Sequence, residues 1–144
     1  MKILIINGAN LDMTGIREKE LYGEKCLKSI EKDLIEYVEN KGCMIECFQS
    51  NSEGEIIDKL HSARENFDAV IINAGAYSHY SYAIRDALVS SELPAVEVHI
   101  SNVFKREEFR QKSVLAAVCT GYISGLGVYG YKAAIDYFLS SVKA

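Results

Sequence analysis

The chain has 144 residues, which suits one domain of ordinary size and is long enough to bury a hydrophobic core. Charged residues make up 25% and hydrophobic residues 49%, proportions typical of globular proteins and not of disordered or fibrous ones. The net charge of −4, without any basic run, argues against a nucleic-acid-binding surface. An anionic ligand would therefore need a local cluster of cations.

The first predicted strand is an apolar run at residues 3–6, and a long loop follows it. Residues 7–23 read NGANLDMTGIREKELYG and show no apolar helix period. A loop of this length is uncommon in a small domain and typical of a binding loop or an active-site lid, which we expect at residues 11–23. Arg17 and Tyr22 are close enough in sequence for one mobile loop to bring a cation to a phenol. An ordinary solvated loop with a surface arginine and an anchoring tyrosine is the alternative.

Helices and strands alternate after this loop. Apolar residues at helical spacing predict a helix over residues 25–40, with Gly42 at its C-terminal cap. A short strand is expected at residues 45–48. Ser52 and Glu55 form a capping-box pattern ahead of a second helix. The residues expected to face the core from these two helices are Leu27, Ile30, Leu34, Val38, Ile56, Leu60, Ala63 and Phe67.

The second half of the chain continues the same alternation. Residues 69–72 and 95–99 read as buried strands, and Ser81 is expected to cap the helix between them. A short helix is predicted at residues 105–112, and a fifth strand at residues 114–122. The inward-facing residues of the third and last helices are Ile84, Ala87, Leu88, Tyr131, Ile135, Phe138 and Val142.

This alternation predicts βαβ units and a parallel sheet that is covered by helices on both faces. Five strands in a chain of 144 residues fit an α/β, flavodoxin-like, doubly wound sandwich of three layers. No linker, repeat or low-complexity tract divides the chain, so we expect residues 1–144 to form a single domain.

Two sequence patterns near the C-terminus are better explained by ordinary packing than by a membrane span or a cofactor site. Residues 113–131 contain no formal charge, but their glycines and tyrosines favour a buried strand over a membrane span. Residues 125–130, GLGVYG, satisfy the glycine pattern of dinucleotide-binding loops, yet no acidic residue on a following strand completes that fingerprint. We therefore expect a tight turn and close helix packing there.

The cysteines and histidines indicate no metal site. Four cysteines lack a C-x-x-C spacing, and the three histidines (His61, His79 and His99) are far apart in sequence. Cys43 and Cys47 are expected to be small core residues in a reducing cytoplasm. Only a few apolar residues precede Asn7, too few for the core of a signal peptide, and we expect no membrane association.

Unusual polar residues follow the predicted strands at their carboxyl ends, where an open parallel sheet binds its ligand. Glu97 and His99 are expected to share one face of a strand, so that the carboxylate orients the imidazole as a general acid. A single histidine at a strand end is otherwise more often structural. The other residues at these ends are Asn7, Asn10, Asn73, His79, Ser101 and Asn102, followed by Arg106 and Arg110 on one face of the predicted short helix.

These residues lie in four stretches: NGANLDMTGIREKELYG, QSNSEGE, INAGAYSHYSYAIRDAL and EVHISNVFKREEFR. In this order, and in a chain of this length, they resemble the type II 3-dehydroquinate dehydratases of the shikimate pathway. The likeness covers nearly the whole chain. It implies a flavodoxin-like fold, a homododecamer of four trimers, and neither a metal nor an organic cofactor. It also implies that 3-dehydroquinate loses water by anti elimination, through an enolate, to give 3-dehydroshikimate.

The resemblance carries residue roles at the matching positions. It implies that Tyr22 is the base, that Arg17 is its electrostatic partner on the lid, and that His99, held by Glu97, is the acid. Asn10 and Asn73 would surround the enolate and its bound water. The residues implied to bind the substrate are Asn73, His79, Ile100, Ser101, Arg110 and Asp86 from a neighbouring subunit, with Arg106 in a supporting role.

Some positions depart from the family's usual residues, although none of them removes a catalytic side chain. The missing prolines bear on the stiffness of lid and loop, and two other changes bear on inhibitor preference. Ala9, Lys19 and Ala74 stand where proline is frequent, Asp12 where asparagine is common, Tyr80 where a small residue is usual, and Phe104 where histidine often occurs.

The chemistry fits these residues on its own terms. Dehydration of a β-hydroxy ketone requires a base for the proton α to the carbonyl, a donor for the enolate, and an acid for the departing hydroxyl. A tyrosine, with an ordinary pKa of about 10, is a weak base unless a cation such as Arg17 favours its phenolate. Asn73 is a neutral donor where negative charge develops, and a histidine such as His99 suits the role of acid.

A non-catalytic flavodoxin-like binding or receiver module is the rival interpretation. A receiver needs clustered acidic residues at the end of the first strand, where this chain has the residues NGAN. A flavin module needs a Ser/Thr-rich phosphate loop there, and only Thr14 is available. An inactive relative retained as an assembly protein would not need Tyr22, Arg17 and His99 together.

Overall fold

A computed structural model describes residues 1–141 and contains one sheet of five parallel strands. The sheet has the order β2-β1-β3-β4-β5, so that the chain reverses its direction of growth between β1 and β3. This is the flavodoxin-like order, and it confirms the predicted fold. The strands are β1 (Lys2–Asn7), β2 (Met44–Gln49), β3 (Ala69–Asn73), β4 (Ala95–His99) and β5 (Gly121–Ser124).

Helices cover both faces of this sheet. α2 and α5 pack on one face, where Ile3 and Ile5 point, and α3 and α4 pack on the other, where Leu4 and Ile6 point. Because both faces are buried, β1 reads as a continuous apolar run and not as an alternation. The helices are α1 (Lys19–Tyr22), α2 (Leu27–Val38), α3 (Glu53–Ala63), α4 (Tyr82–Ser91) and α5 (Tyr129–Ser141).

The helix starts follow the predicted caps. The hydroxyl of Ser52 accepts a hydrogen bond from the Glu55 amide at 3.3 Å, and that of Ser81 accepts one from the Ile84 amide at 3.1 Å. The Glu55 carboxylate binds Ser50 and not the Ser52 amide, so the capping box is only half formed. Each predicted core residue of α2, α3 and α4 is buried.

The fifth strand begins later than the sequence predicts, at Gly121 instead of residue 114. Val114 and Leu115 are buried against α3 and α4, but they pack there from an irregular segment. The hydroxyl of Ser113 accepts hydrogen bonds from the amides of Leu115 and Ala116, a turn that removes these amides from any strand ladder. The apolar residues that begin at Val114 therefore indicate a buried segment and not an extended strand.

Other differences are local. The predicted helix over residues 105–112 is replaced by two 3-10 turns, Val103–Lys105 and Glu108–Gln111. α2 ends at Val38, and the first left-handed residue after it is Asn40 (φ 65°), ahead of Gly42. Residues 125–130 form the expected tight turn, and a Cβ at Gly130 would lie 3.2 Å from Val98, so that α5 packs closely on β4.

Within residues 1–141, no helix is long and apolar enough to cross a membrane. Tyr131, Ile135 and Phe138 are buried on α5 as predicted, and the expected core position Val142 lies outside the described residues.

Candidate active site

A cavity opens at the carboxyl ends of β1, β3 and β4, next to the point where the strand order reverses. The long loop after β1 forms one of its walls. Its lining includes most of the predicted site residues: Asn10, Arg17, Tyr22, Asn73, His79, His99, Ile100, Ser101, Arg106 and Arg110. Glu97 is buried behind His99, and Asp86 is exposed on α4, outside this lining.

The main chain of two loops brings the ends of β1 and β3 together. The Gly8 amide donates a hydrogen bond to the Asn73 carbonyl at 2.7 Å. A Cβ at Gly8 would lie 2.4 Å from the carbonyl oxygen of Ala74, so only glycine permits this approach. The chain segments that follow β1 and β3 are consequently held together by closely packed backbone.

Tyr22 lies between two guanidinium groups. Arg106 donates a hydrogen bond from Nη1 to the Tyr22 hydroxyl at 2.6 Å and another to Ser101 Oγ at 3.2 Å. The Arg17 guanidinium lies 5.3 Å from the centre of the Tyr22 ring, and that of Arg106 lies 5.4 Å from it. The direct partner of the phenol is thus Arg106, to which the sequence assigned only a supporting role.

Glu18 joins the two arginines on the lid side. Its carboxylate lies 3.4 Å from Nη1 of Arg17 and 3.9 Å from Nη2 of Arg106. The Glu18 backbone is left-handed (φ 44°), an uncommon conformation for a residue other than glycine. The lid therefore brings one phenol, one carboxylate and one guanidinium towards the buried Arg106.

The acid end of the cavity is a buried carboxylate–imidazole pair. His99 Nε2 donates a hydrogen bond to Glu97 Oε1 at 2.7 Å, and both side chains are almost fully buried. Because Nε2 binds the carboxylate, Nδ1 is the nitrogen available to a substrate. This pair has the same-face geometry that its two-residue spacing predicts.

Ser113 is the second partner of Glu97. Its Oγ lies 2.7 Å from Oε2 and 2.9 Å from Oε1 of the carboxylate. No sequence pattern singled out Ser113, because the segment around it reads as an apolar strand.

His79 stacks on His99, with the ring centres 6.2 Å apart and the planes at 16°. Its Nδ1 donates a hydrogen bond to the Lys112 carbonyl at 2.8 Å, which leaves Nε2 free for a ligand. Burial, with smaller contributions from the nearby His99 and Arg110, lowers the pKa of His79 below its ordinary value. His79 is therefore suited to bind a substrate hydroxyl as a neutral imidazole.

Asn73 is held in place by a buried phenol from the last helix. Its Nδ2 donates to the Tyr131 hydroxyl at 3.0 Å, and that hydroxyl donates to Asn7 Oδ1 at 2.6 Å. The Oδ1 of Asn73 accepts a hydrogen bond from the Gly75 amide at 3.3 Å. Burial raises the pKa of Tyr131 far above its ordinary value, so the phenol keeps the proton that it donates. Tyr131 was predicted only as a core residue, and its helical spacing does not predict its hydrogen bond with Asn73.

Replacing Tyr131 by phenylalanine should lower the free energy of unfolding by about 1–3 kcal/mol, because buried polar groups of Asn7 and Asn73 lose their partner. It should also reduce kcat, since the amide of Asn73 is no longer oriented. Denaturant unfolding and steady-state kinetics measure both effects. Tyr37→Phe is the matched control, because the Tyr37 hydroxyl binds Asp136 at 2.8 Å on the half-buried outer side of α2. Equal changes in the two variants would contradict the orienting role.

Asn10 is positioned from the neighbouring strand end. Its backbone is left-handed (φ 67°), and its backbone amide donates a hydrogen bond to Asn51 Oδ1 at 2.9 Å. Gln49 Nε2 and the Tyr77 hydroxyl hold Asn51 in turn. The QSN stretch after β2 thus supports the loop that carries Asn10.

Arg110 lies at the outer rim of the cavity, where its Nε is 2.5 Å from Glu107. Ile100 and Ser101 follow β4 directly and face the same space. Among residues 1–141, no three histidine, cysteine, aspartate or glutamate side chains come together in a geometry that would hold a metal ion.

Comparisons with known proteins identify the family. The sequence model of the family described as dehydroquinase class II matches residues 1–139. A 3-dehydroquinate dehydratase from Carboxydothermus hydrogenoformans is 55% identical over 141 residues, which cover 95% of this chain and 92% of that protein. The crystal structure of a type II dehydroquinase from Butyrivibrio crossotus superposes with a TM-score of 0.93 at 53% identity, covering 97% of both chains. One from Propionibacterium acnes has a TM-score of 0.93 at 42% identity, covering 96% of both. The chain belongs to the class II dehydroquinase family.

Proposed function

We propose that the cavity catalyses the reaction of its family, the conversion of 3-dehydroquinate to 3-dehydroshikimate and water in the shikimate pathway. The observation that supports this assignment best is that one cavity contains both a candidate base and a candidate acid. A tyrosine hydroxyl accepts a short hydrogen bond from Arg106 at 2.6 Å, and a buried histidine is bound to Glu97 at 2.7 Å. A base and an acid are what an elimination of water requires.

The base in this mechanism is the Tyr22 phenolate. It removes the proton α to the ketone, and the electron pair moves into the enolate. A hydrogen-bond donor stabilises the charged form of a phenol, which is the contribution of Arg106, and Arg17 adds positive charge beside the ring. Closure of the lid excludes water and strengthens both effects.

The enolate and the leaving group are handled at the opposite side. Asn73, and Asn10 beside it, stabilise the negative charge that develops on the enolate oxygen and hold the bound water. When the enolate re-forms the ketone, the bond to the β-hydroxyl breaks and His99 donates the proton that makes it water. His99 then regains a proton from solvent, and Tyr22 releases the one that it took.

The rest of the cavity binds the substrate. The backbone at Ile100 and Ser101, the neutral imidazole of His79 and the guanidinium of Arg110 surround the remaining space. A cation at the rim suits the substrate carboxylate, and neutral donors suit its hydroxyls.

The direct test is to mix purified protein with 3-dehydroquinate and follow the absorbance of the conjugated enone in the product. A steady rise in this absorbance is the expected result. No rise with correctly folded protein would contradict the proposed function.

We further propose that residues 1–144 act as one catalytic domain, with residues 11–23 as its lid. The unpaired thiols of Cys26, Cys43, Cys47 and Cys119 suit the reducing cytoplasm.

We also propose a homododecamer of four trimers in which Asp86 completes the site of a neighbouring subunit. Asp86 is exposed on α4 and contributes nothing to the cavity of its own chain. Asp86→Ala should then lower kcat/KM by about tenfold, the effect of one lost hydrogen bond to a charged group.

Mixed oligomers provide the decisive measurement for Asp86. Asp86→Ala and Tyr22→Phe chains that are refolded together should regain activity, because some sites receive both wild-type residues. Chains refolded separately and then combined are the control. A stable, fully active monomer in light scattering would contradict this arrangement.

A further inference from the structure

We propose that Ser113 is a positioning residue for the acid half of the reaction, a proposal that rests on the proposed function. Its hydroxyl donates a hydrogen bond to the Glu97 carboxylate and holds it aimed at His99. The observation is a continuous path of hydrogen bonds from the backbone through Ser113 and Glu97 to the imidazole.

The direction of these hydrogen bonds follows from their partners. Ser113 Oγ accepts from the Leu115 amide at 3.1 Å and from the Ala116 amide at 3.0 Å. Amides can only donate, so the single hydroxyl proton of Ser113 points to the Glu97 carboxylate, 2.7 Å from Oε2. The two amides polarise this hydroxyl and make it a stronger donor.

The segment around Ser113 is fixed to the scaffold on both sides. The Val114 amide donates to the Ser78 carbonyl at 2.8 Å, and the Val114 carbonyl accepts from Arg85 at 3.0 Å. The carbonyl of Lys112 receives the Nδ1 hydrogen of His79. One short segment therefore orients both histidines of the cavity, His79 directly and His99 through Glu97.

A donor is needed at Glu97 because this carboxylate is fully buried in the sheet. The titratable groups that face it are His99 on its own strand, His79 beside His99, Cys119 from the segment that leads into β5, and Tyr122 on β5. Burial, with a smaller effect of the Glu97 charge, raises the pKa of Cys119 to about 12 and also raises that of Tyr122. Neither of these groups donates a positive charge, so Ser113 and His99 are the groups that stabilise the carboxylate.

A matched pair of variants separates the hydroxyl from the shape of the side chain. Ser113→Thr keeps a hydroxyl. Ser113→Val introduces a side chain of nearly the same shape as threonine but without the hydroxyl. We expect Ser113→Val to lower kcat by roughly 10- to 100-fold with little change in KM, the effect of losing a hydrogen bond to a charged group. Ser113→Thr should retain most of the wild-type kcat. Ser91→Ala is the control for the loss of a serine hydroxyl, because Ser91 lies at the end of α4, remote from the cavity.

The pH profile reports the mechanism. A buried carboxylate that loses a donor is protonated more easily, so the low-pH limb of kcat should move to higher pH in Ser113→Val and stay in place in Ser113→Thr. A merely structural serine would reduce activity by the same factor at every pH.

A double-mutant cycle keeps the proposal testable if Ser113→Val folds poorly. If Ser113 acts through Glu97, then Ser113→Ala should cost much less in a Glu97→Gln background than in the wild type. Additive losses in kcat would overturn the proposal, as would an unchanged kcat and pH profile in Ser113→Val. Absence of dehydration in the wild-type protein would instead count against the proposed function, so the two failures are distinguishable.

Discussion

Replacing Tyr22 by phenylalanine should reduce kcat on the order of 10⁴-fold, the upper end of what a general base supplies. The change keeps the ring between Arg17 and Arg106 but removes the oxygen that takes the proton. The melting temperature should change little, because Tyr22 is only half-buried and belongs to the lid and not to the sheet. The enone assay and thermal unfolding measure the two quantities.

The arginine variants show whether the base is a phenolate. Arg106→Ala should depress kcat strongly at neutral pH. Part of the lost kcat should return as the pH approaches about 10, because a tyrosine without a cationic partner ionises there unaided. Arg17→Ala should show the same recovery with a smaller initial loss, because Arg17 lies beside the ring and makes no hydrogen bond to the hydroxyl. Tyr22→Phe should not recover at any pH. An active Tyr22→Phe enzyme, or flat profiles in both arginine variants, would contradict the phenolate mechanism.

Replacing His99 by alanine should lower kcat by roughly 10²- to 10⁴-fold, the usual contribution of a general acid. Glu97→Gln should cost less, because it keeps the hydrogen-bonding shape and removes only the charge that supports the imidazolium. Steady-state kinetics over a range of pH separates these effects. His61→Ala is the matched control, since His61 is an exposed histidine on α3. Near-normal turnover of His99→Ala would mean that another group protonates the leaving hydroxyl.

The sequence predicts those parts of the fold that depend on short-range patterns. Both serine caps and the buried face of α2 follow from spacing alone, because a helix must bury one stripe and satisfy its first amides. The pairing of Glu97 with His99 follows from the two-residue period of a strand. The gathering of Asn73 and His99 follows from the rule that parallel strands end at one edge of a sheet.

What the sequence did not predict depends on long-range geometry. The Arg106–Tyr22 hydrogen bond joins residues 84 positions apart, and only the docking of the lid on the scaffold decides which arginine reaches the phenol. The contact between Tyr131 and Asn73 is hidden because a buried tyrosine in a helix reads as core. The start predicted for the fifth strand, residue 114, was wrong for a related reason, since hydrophobicity indicates burial and does not distinguish a strand from a packed turn.

The close approach of Gly8 to Ala74 has a consequence for how freely this surface can change during evolution. Next to the cavity, the main chain after β1 lies directly against the main chain after β3, and the hydrogen bond from the Gly8 amide to the Asn73 carbonyl joins them. Even the smallest side chain at Gly8 would meet the Ala74 carbonyl and push the two loops apart, so this position is expected to remain glycine.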